Sequence, residues 1–150
     1  YITFRFQWRQ GIAAIITLLH DVMVVVGIFS IFDKEFTLPV IAALLTVVGY
    51  SLNDTIVIFD RIRENISKFR KRELLPLINQ SVTETLSRTL LTSGTTLMVV
   101  LALVFLGGEI IHDFAFALLV GVLIGTYSSI YVASPTVLWL TKIAPPKTSD

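Results

Sequence analysis

Asp54 is the residue at which the sequence most directly indicates chemistry. It follows a nearly uninterrupted apolar run, 38–48, and the composition turns to charged residues only after Phe59. The stretch 38–59, of about 22 residues, is long enough to cross a hydrocarbon core of roughly 30 Å. A carboxylate inside such a span costs at least ~2.5 kcal/mol, so a functional site is the default hypothesis. The alternative is a structural Asp54 that keeps its proton and bonds a neighbouring helix.

Arg88 is the candidate partner of Asp54, because it precedes a second long apolar stretch at a compatible depth. In an apolar bundle, desolvation favours the protonated carboxyl, whereas an approaching guanidinium favours the anion. A helix movement that changes their separation would therefore release or capture a proton. The alternative is that Arg88 only anchors its helix at the membrane interface, with its head group near lipid phosphate.

Further polar side chains accompany this pair at helical spacing. Tyr50 and Ser51 share a face with Asp54, and we expect them to oppose a second stripe that starts at Arg88. That second stripe comprises Arg88, Thr92, Thr95 and Thr96. Alternatively, such hydroxyls bond their own backbone or join helices for about 0.6 kcal/mol each. The predicted supporting polar residues are Tyr50, Ser51, Asn53, Thr92, Thr96 and His20.

Two ionisable residues, His20 and Asp21, stand near the centre of the first apolar stretch. Ionisable groups at that depth face a protein interior or a cavity. Asp21 is either a second proton-coupling carboxylate or a structural hydrogen-bond hub. No metal or other cofactor is expected, because the two histidines lie at different depths and the chain has no cysteine.

Composition indicates an integral membrane protein. The chain is 54% hydrophobic and 15% charged, with a mean hydropathy of +0.79. We predict an all-α, polytopic membrane helix bundle with four transmembrane helices and a cytoplasmic helical loop between the second and third. The predicted segments are an interfacial stretch 1–10, a transmembrane domain 11–142 with spans 11–32, 38–59, 89–106 and 114–140, and a tail 143–150.

Local signals set the expected helix ends. The second helix should continue into water and break near Pro76, and the capping-box pattern from Ser81 to Glu84 predicts a new helix start. Gly107 and Gly108 should end the third span, and Pro135 should kink the fourth.

The distribution of basic residues predicts the orientation. One side carries eleven lysines and arginines and the other carries Lys34 alone. By the positive-inside rule, both termini and the central loop are cytoplasmic. The eleven are Arg5, Arg9, Arg61, Arg63, Lys68, Arg70, Lys71, Arg72, Arg88, Lys142 and Lys147.

Small residues recur every fourth position in the last span, which predicts a smooth face for close helix packing. They are Gly121, Gly125, Ser129 and Ala133. Helix packing is the plain interpretation, and a face that lets helices slide is the functional one.

Three motifs carry a resemblance to a known family. The stretches VGYSLNDTIVIFDRIRE (48–64), SVTETLSRTLLTSGTTL (81–97) and GTYSSIYVASP (125–135) resemble the SecF family of protein-export membrane subunits. The resemblance covers nearly the whole chain except its last residues, and it corresponds to the C-terminal transmembrane portion of the family. We therefore interpret the chain as a piece of a longer protein.

The resemblance implies a non-enzymatic subunit of the cell inner membrane that works with SecD. Together they would use the proton gradient to assist polypeptide export through the Sec channel. It also implies proton-coupling roles for Asp54 and Arg88. Contact with the polypeptide would fall to parts outside this chain, and the expected surroundings are lipid, with no nucleic acid. The resemblance relates this family to the resistance-nodulation-division superfamily. The alternatives are a proton-coupled small-solute transporter half of that superfamily, a non-transporting membrane scaffold and an intramembrane hydrolase.

Overall fold

The computed structural model describes residues 8–69 and 73–143. Within these residues the chain is helical, which confirms the all-α prediction. The helices are α1 (Trp8–Ile31), α2 (Leu38–Lys68), α3 (Leu74–Leu106), α4 (Glu109–Ser128) and α5 (Ser134–Ile143), with a π-helical segment (Ser129–Ala133) that joins the last two. Predictions for 1–7, 70–72 and 144–150 fall outside the described residues.

Four helical stretches in the described chain are long and apolar enough to cross a membrane: α1, α2, α3 and the continuous stretch Glu109–Ile143. The bundle has two ends. The "turn end" holds the α1–α2 turn and the α3–α4 turn, and the "loop end" holds the 69–73 connection. At the turn end, Lys34 Nζ lies 2.8 Å from an Asp113 carboxylate oxygen and 4.9 Å from the centroid of the Phe116 ring. These contacts attach the α1–α2 turn to α4.

The ends of α2 and α3 differ in part from the sequence prediction. Pro39 lies in the first turn of α2, which ends at Lys68, and α3 begins at Leu74, ahead of Pro76. Pro76 stands in the first turn of α3, where its missing N–H has no intrahelical partner to lose. The predicted helix start at Ser81 is wrong: Ser81 lies inside α3, and its Oγ donates to the Leu77 carbonyl at 2.8 Å.

Two glycines separate α3 from α4, as predicted. The N–H of Gly107 bonds the Leu103 carbonyl at 2.9 Å, and Gly108 has a φ of +77°. That left-handed conformation favours glycine, because a Cβ there would be strained. The chain can therefore reverse within two residues.

Where the sequence predicted a kink at Pro135, the structure has the π-helical segment Ser129–Ala133 immediately before it. In an α-helix the proline ring would clash with the carbonyl of Tyr131, four residues earlier. The wider turn changes the position of that carbonyl. The helix then resumes with Ser134, so the span stays continuous.

The packed core has two apolar halves, separated by a polar layer. The turn-end half comprises Val25, Phe29, Val40, Ala43, Ala117 and Val120, and the loop-end half comprises Ala13, Ala14, Ile58, Phe59, Ile62, Ile78, Ala133 and Val137. Helix α3 is the least buried of the four spans. The layer between the halves contains the candidate site.

Candidate functional site

Asp54 is buried in this polar layer. Its side chain is 4% exposed, and among the described residues its Oδ2 has no hydrogen-bond partner. The neighbouring Thr55 is 1% exposed, and its Oγ1 likewise lacks a hydrogen-bond partner in the part of the chain that the structure describes. Buried polar atoms are almost always hydrogen-bonded, so two adjacent exceptions require a reason such as function or bound water.

Arg88 lies near Asp54 without contacting it directly. The α2–α3 contacts pair Tyr50 with Ser93 and Asn65 with Ser81, which puts Asp54 level with Thr89. The Arg88 guanidinium acts electrostatically on the Asp54 carboxylate, yet no hydrogen bond or ion pair joins the two in the described part of the chain. The helix register thus places Asp54 and Arg88 at similar depths, as expected from the sequence.

Arg88 is exposed and lines an open cleft of about 410 Å³ at the loop end. The cleft lies between α2 and α3, and its walls carry both signs of charge. Its lining residues are Val57, Asp60, Arg61, Glu64, Glu84, Thr85 and Arg88. The cleft is open to the surface, and Val57 in its lining lies three residues along α2 from Asp54.

A network of side-chain hydrogen bonds and ion pairs, here called the clip, joins α2 to α3 beside this cleft. Arg61 pairs with Glu84 and with Glu64, and the buried Asn65 donates to Ser81 Oγ at 2.8 Å and to Glu84 at 3.1 Å. Asn65 is 1% exposed, so its bonds are shielded from water. The clip fixes α2 against α3 on the loop-end side of Asp54.

Asp21 forms a second buried carboxylate site one turn toward the turn end. It is fully buried, accepts a hydrogen bond from Ser51 Oγ and lies 3.1 Å from His20 Nδ1. His20 is about one third exposed on the outer surface of α1. Ser51 and Asp54 lie on the same face of α2, so the two carboxylates flank one face of that helix.

A chain of three hydroxyls crosses the bundle at the same level. Tyr50 OH lies 2.9 Å from Ser93 Oγ, and Ser93 Oγ lies 2.7 Å from Thr126 Oγ1. Sequence reasoning named Tyr50 but missed Ser93 and Thr126. The available signal was a hydroxyl at every fourth position of α3, since the inward face carries Ser81, Thr85, Thr89 and Ser93.

Two threonines of the stripe predicted on α3, Thr95 and Thr96, form hydrogen bonds within their own helix. Thr96 donates to the Thr92 carbonyl at 2.8 Å, and the exposed Thr95 donates to the carbonyls of Leu91 and Thr92. These threonines therefore bond their own backbone, which is the alternative that the sequence left open. Asn53 is exposed on the outer side of α2.

The small residues of the last span lie against α2. A Cβ built on Gly121 would lie 2.1 Å from a Val47 methyl, and one on Gly125 would lie 3.3 Å from Ser51 Cβ. Ser129 and Ala133, in the π-helical segment, are fully buried. The glycines thus allow the helix with Asp54 and the fourth span to approach closely.

In the described residues, no group of three or more His, Asp or Glu side chains could hold a metal ion.

Four apolar helices around buried carboxylates define a multi-pass α-helical membrane protein. Residues 1–143 match the family model described as "Protein export membrane protein SecD/SecF, C-terminal". The chain belongs to this family.

Relatives with curated names support the same assignment. The chain is 60% identical over 137 residues to the protein translocase subunit SecF of Desulfurispirillum indicum, covering 89% of this chain and 44% of that protein. It is 54% identical over 138 residues to the protein translocase subunit SecDF of Thermus thermophilus, covering 92% of this chain and 19% of that protein. It therefore spans less than half the length of these relatives.

A solved structure shares the fold. The crystal structure of SecDF in its super-membrane-facing form matches with a TM-score of 0.90 and 52% sequence identity. The match covers 95% of this chain and 20% of that one.

Proposed function

We propose that this chain is the proton-coupling part of a protein-export subunit that works with SecD at the Sec channel of the cell inner membrane. The observation that carries the proposal is the buried Asp54 carboxylate, whose Oδ2 has no hydrogen-bond partner within residues 8–69 and 73–143, while Arg88 stands at the same level. The names of the relatives, SecF and SecDF, support the protein-export part. Because the chain spans less than half of those proteins, the proposal includes SecD as the partner, a polypeptide as the substrate and the inner membrane as the location.

The orientation follows from charge. The loop end carries Arg61, Arg63 and Lys68, whereas the turn end carries Lys34. The loop end and both termini are then cytoplasmic by the positive-inside rule. The cleft beside Arg88 opens to the cytoplasm, and the apolar turn-end half of the core closes Asp54 off from the other side.

Asp54 exchanges its proton through the approach and withdrawal of Arg88. Desolvation favours the protonated carboxyl when Arg88 is distant, and the guanidinium stabilises the anion when it is near. Since no direct bond holds the pair, a small shift of α3 changes their separation. Each exchange of a proton thereby accompanies a movement of α3 against α2.

Asp21 acts as a second proton-coupling carboxylate in this proposal. Its bond from Ser51 connects it to the helix that carries Asp54, three residues away along α2. His20, which is partly exposed, supplies a neighbouring group that can hold a proton. Asn53, Thr92 and Thr96 are assigned only a supporting polar role in this proposal.

The experiment replaces Asp54 by Asn in the full-length protein assembled with SecD. The amide keeps the shape and hydrogen bonding of the side chain but cannot exchange a proton. We expect gradient-stimulated export to be lost while membrane insertion and assembly persist, and Asp54→Glu to retain part of it. Arg88→Lys should be impaired less than Arg88→Ala, because it keeps the charge. Normal gradient-stimulated export by well-assembled Asp54→Asn protein would leave Asp54 a structural residue.

A further inference from the structure

The three hydroxyls of Tyr50, Ser93 and Thr126 form a directed chain. Thr126 Oγ1 donates its single proton to the Val122 carbonyl at 2.8 Å. It can therefore only accept from Ser93, and Ser93 in turn can only accept from Tyr50, since each hydroxyl has one proton to donate. The direction of every bond is thus fixed: Tyr50 to Ser93, Ser93 to Thr126, and Thr126 to the backbone of α4.

This chain runs across the bundle and not along it. Its three members lie on α2, α3 and α4 at one level, with Ser93 only 8% exposed. It ends at a backbone carbonyl, which has no proton to pass on. A route for protons through the membrane needs groups at successive depths, so this arrangement suits a mechanical link between helices.

The position of the link relates it to Asp54 and Arg88. Asp54 is four residues from Tyr50, and Arg88 is five residues from Ser93, both toward the loop end. On the other side of the pair, Arg61 bonds Glu84. One polar link between α2 and α3 therefore lies on the turn-end side of the Asp54–Arg88 pair, and a second lies on the loop-end side. The Tyr50–Ser93 link is the less exposed of the two.

We infer that Ser93 and Thr126 are positioning residues, which hold α3 against α2 and α4 and thereby set the distance from the Arg88 guanidinium to the Asp54 carboxylate. This inference rests on the proposed proton-coupling role of Asp54. Around that carboxylate, α3 contributes Arg88, and α1 contributes Asp21 and His20 one turn away. Helix α4 contributes the uncharged Ser128, which the contact of Gly125 with Ser51 puts near the same level. Arg88 is thus the neighbouring charge whose position the link controls.

The test uses Ser93→Ala and Thr126→Val in the full-length protein with SecD, and it measures gradient-stimulated export as a function of pH. We expect Thr126→Val to lower the maximal rate about threefold, the factor for one interhelical hydrogen bond in a membrane protein. Ser93→Ala removes two such bonds, to Tyr50 and to Thr126, and should lower the rate at least as much. The pH of half-maximal export should move by about 0.4 unit, because a change of about threefold in an equilibrium constant corresponds to a pKa shift of roughly that size. Thr126→Ser keeps the hydroxyl and should restore the wild-type profile.

The matched control is Thr95→Val. Thr95 also donates to its own helix backbone, but within the described chain its side chain forms no hydrogen bond to another helix. Its profile should stay unchanged. An unchanged pH midpoint in Thr126→Val, or an equal loss at every pH, would overturn the positioning role even if Ser93→Ala fails to assemble. Failure of the proposed function would appear in a different experiment, as normal gradient-stimulated export by Asp54→Asn, so the two failures can be told apart.

Discussion

Gly121→Ala tests how closely α2 and the fourth span approach each other. The new Cβ would lie 2.1, 2.7 and 2.9 Å from Cγ2, Cγ1 and Cβ of Val47. Favourable carbon–carbon contacts lie near 3.5–4.0 Å, so the shortest of these falls about 1.4 Å short. Rotation of Val47 cannot relieve the clash, because valine is stiff in a helix and its Cβ does not move with χ1. The helices themselves must separate.

We therefore expect Gly121→Ala to destabilise the protein by about 1–3 kcal/mol, the usual range for overpacking. The measurement is the thermal or detergent-induced unfolding midpoint of the purified full-length protein. Gly94→Ala is the control: no atom of the described residues lies within 4 Å of a Cβ built there, so it should be neutral or stabilising, by up to ~1 kcal/mol. Adding Val47→Ala to Gly121→Ala should recover stability, since it removes the two closest atoms. Equal midpoints for Gly121→Ala and Gly94→Ala would refute the close approach.

Two further predictions concern the ends of the bundle. A single cysteine at Glu35 should react with an impermeant reagent added outside intact cells, and one at Ser67 should not, both positions being exposed; labelling of Ser67→Cys would reverse the orientation. Asn65→Ala should lower the unfolding midpoint more than Glu64→Ala, because it removes buried hydrogen bonds worth about 1–2 kcal/mol, whereas Glu64 is solvent-exposed. Equal midpoints would contradict the importance of the buried clip.

The four spans could be predicted because length and hydropathy alone determine them. Asp54 and Arg88 could be related by depth for the same reason: both positions were counted from the same membrane boundary. Helix ends were less predictable. The pattern from Ser81 to Glu84 matches a capping box, but the hydroxyl of Ser81 bonds the Leu77 carbonyl and Glu84 bonds Arg61 instead. Tertiary partners outweighed the local signal.

The orientation of α3 about its own axis was the main feature that the sequence analysis missed. Hydroxyl residues occur on several sides of this helix, so composition does not identify the inward face. Ser93 faces Tyr50 and Thr126, while Thr95 and Thr96 bond their own backbone. A choice between these faces requires the neighbouring helices, which a single sequence does not supply.

The π-helical segment has a geometrical consequence for the small residues of the fourth span. Four residues of an α-helix turn through about 400°, so a stripe of every fourth residue drifts around the helix by about 40° per step. From Gly121 to Ser129 that drift would reach about 80° and carry the stripe away from α2. A π turn contains more residues and so rotates less per residue, which reverses the drift over Ser129–Ala133. Gly121 and Ala133 can then both face inward. The stripe of small residues can therefore follow a straight neighbouring helix for about three turns without a coiled-coil supercoil.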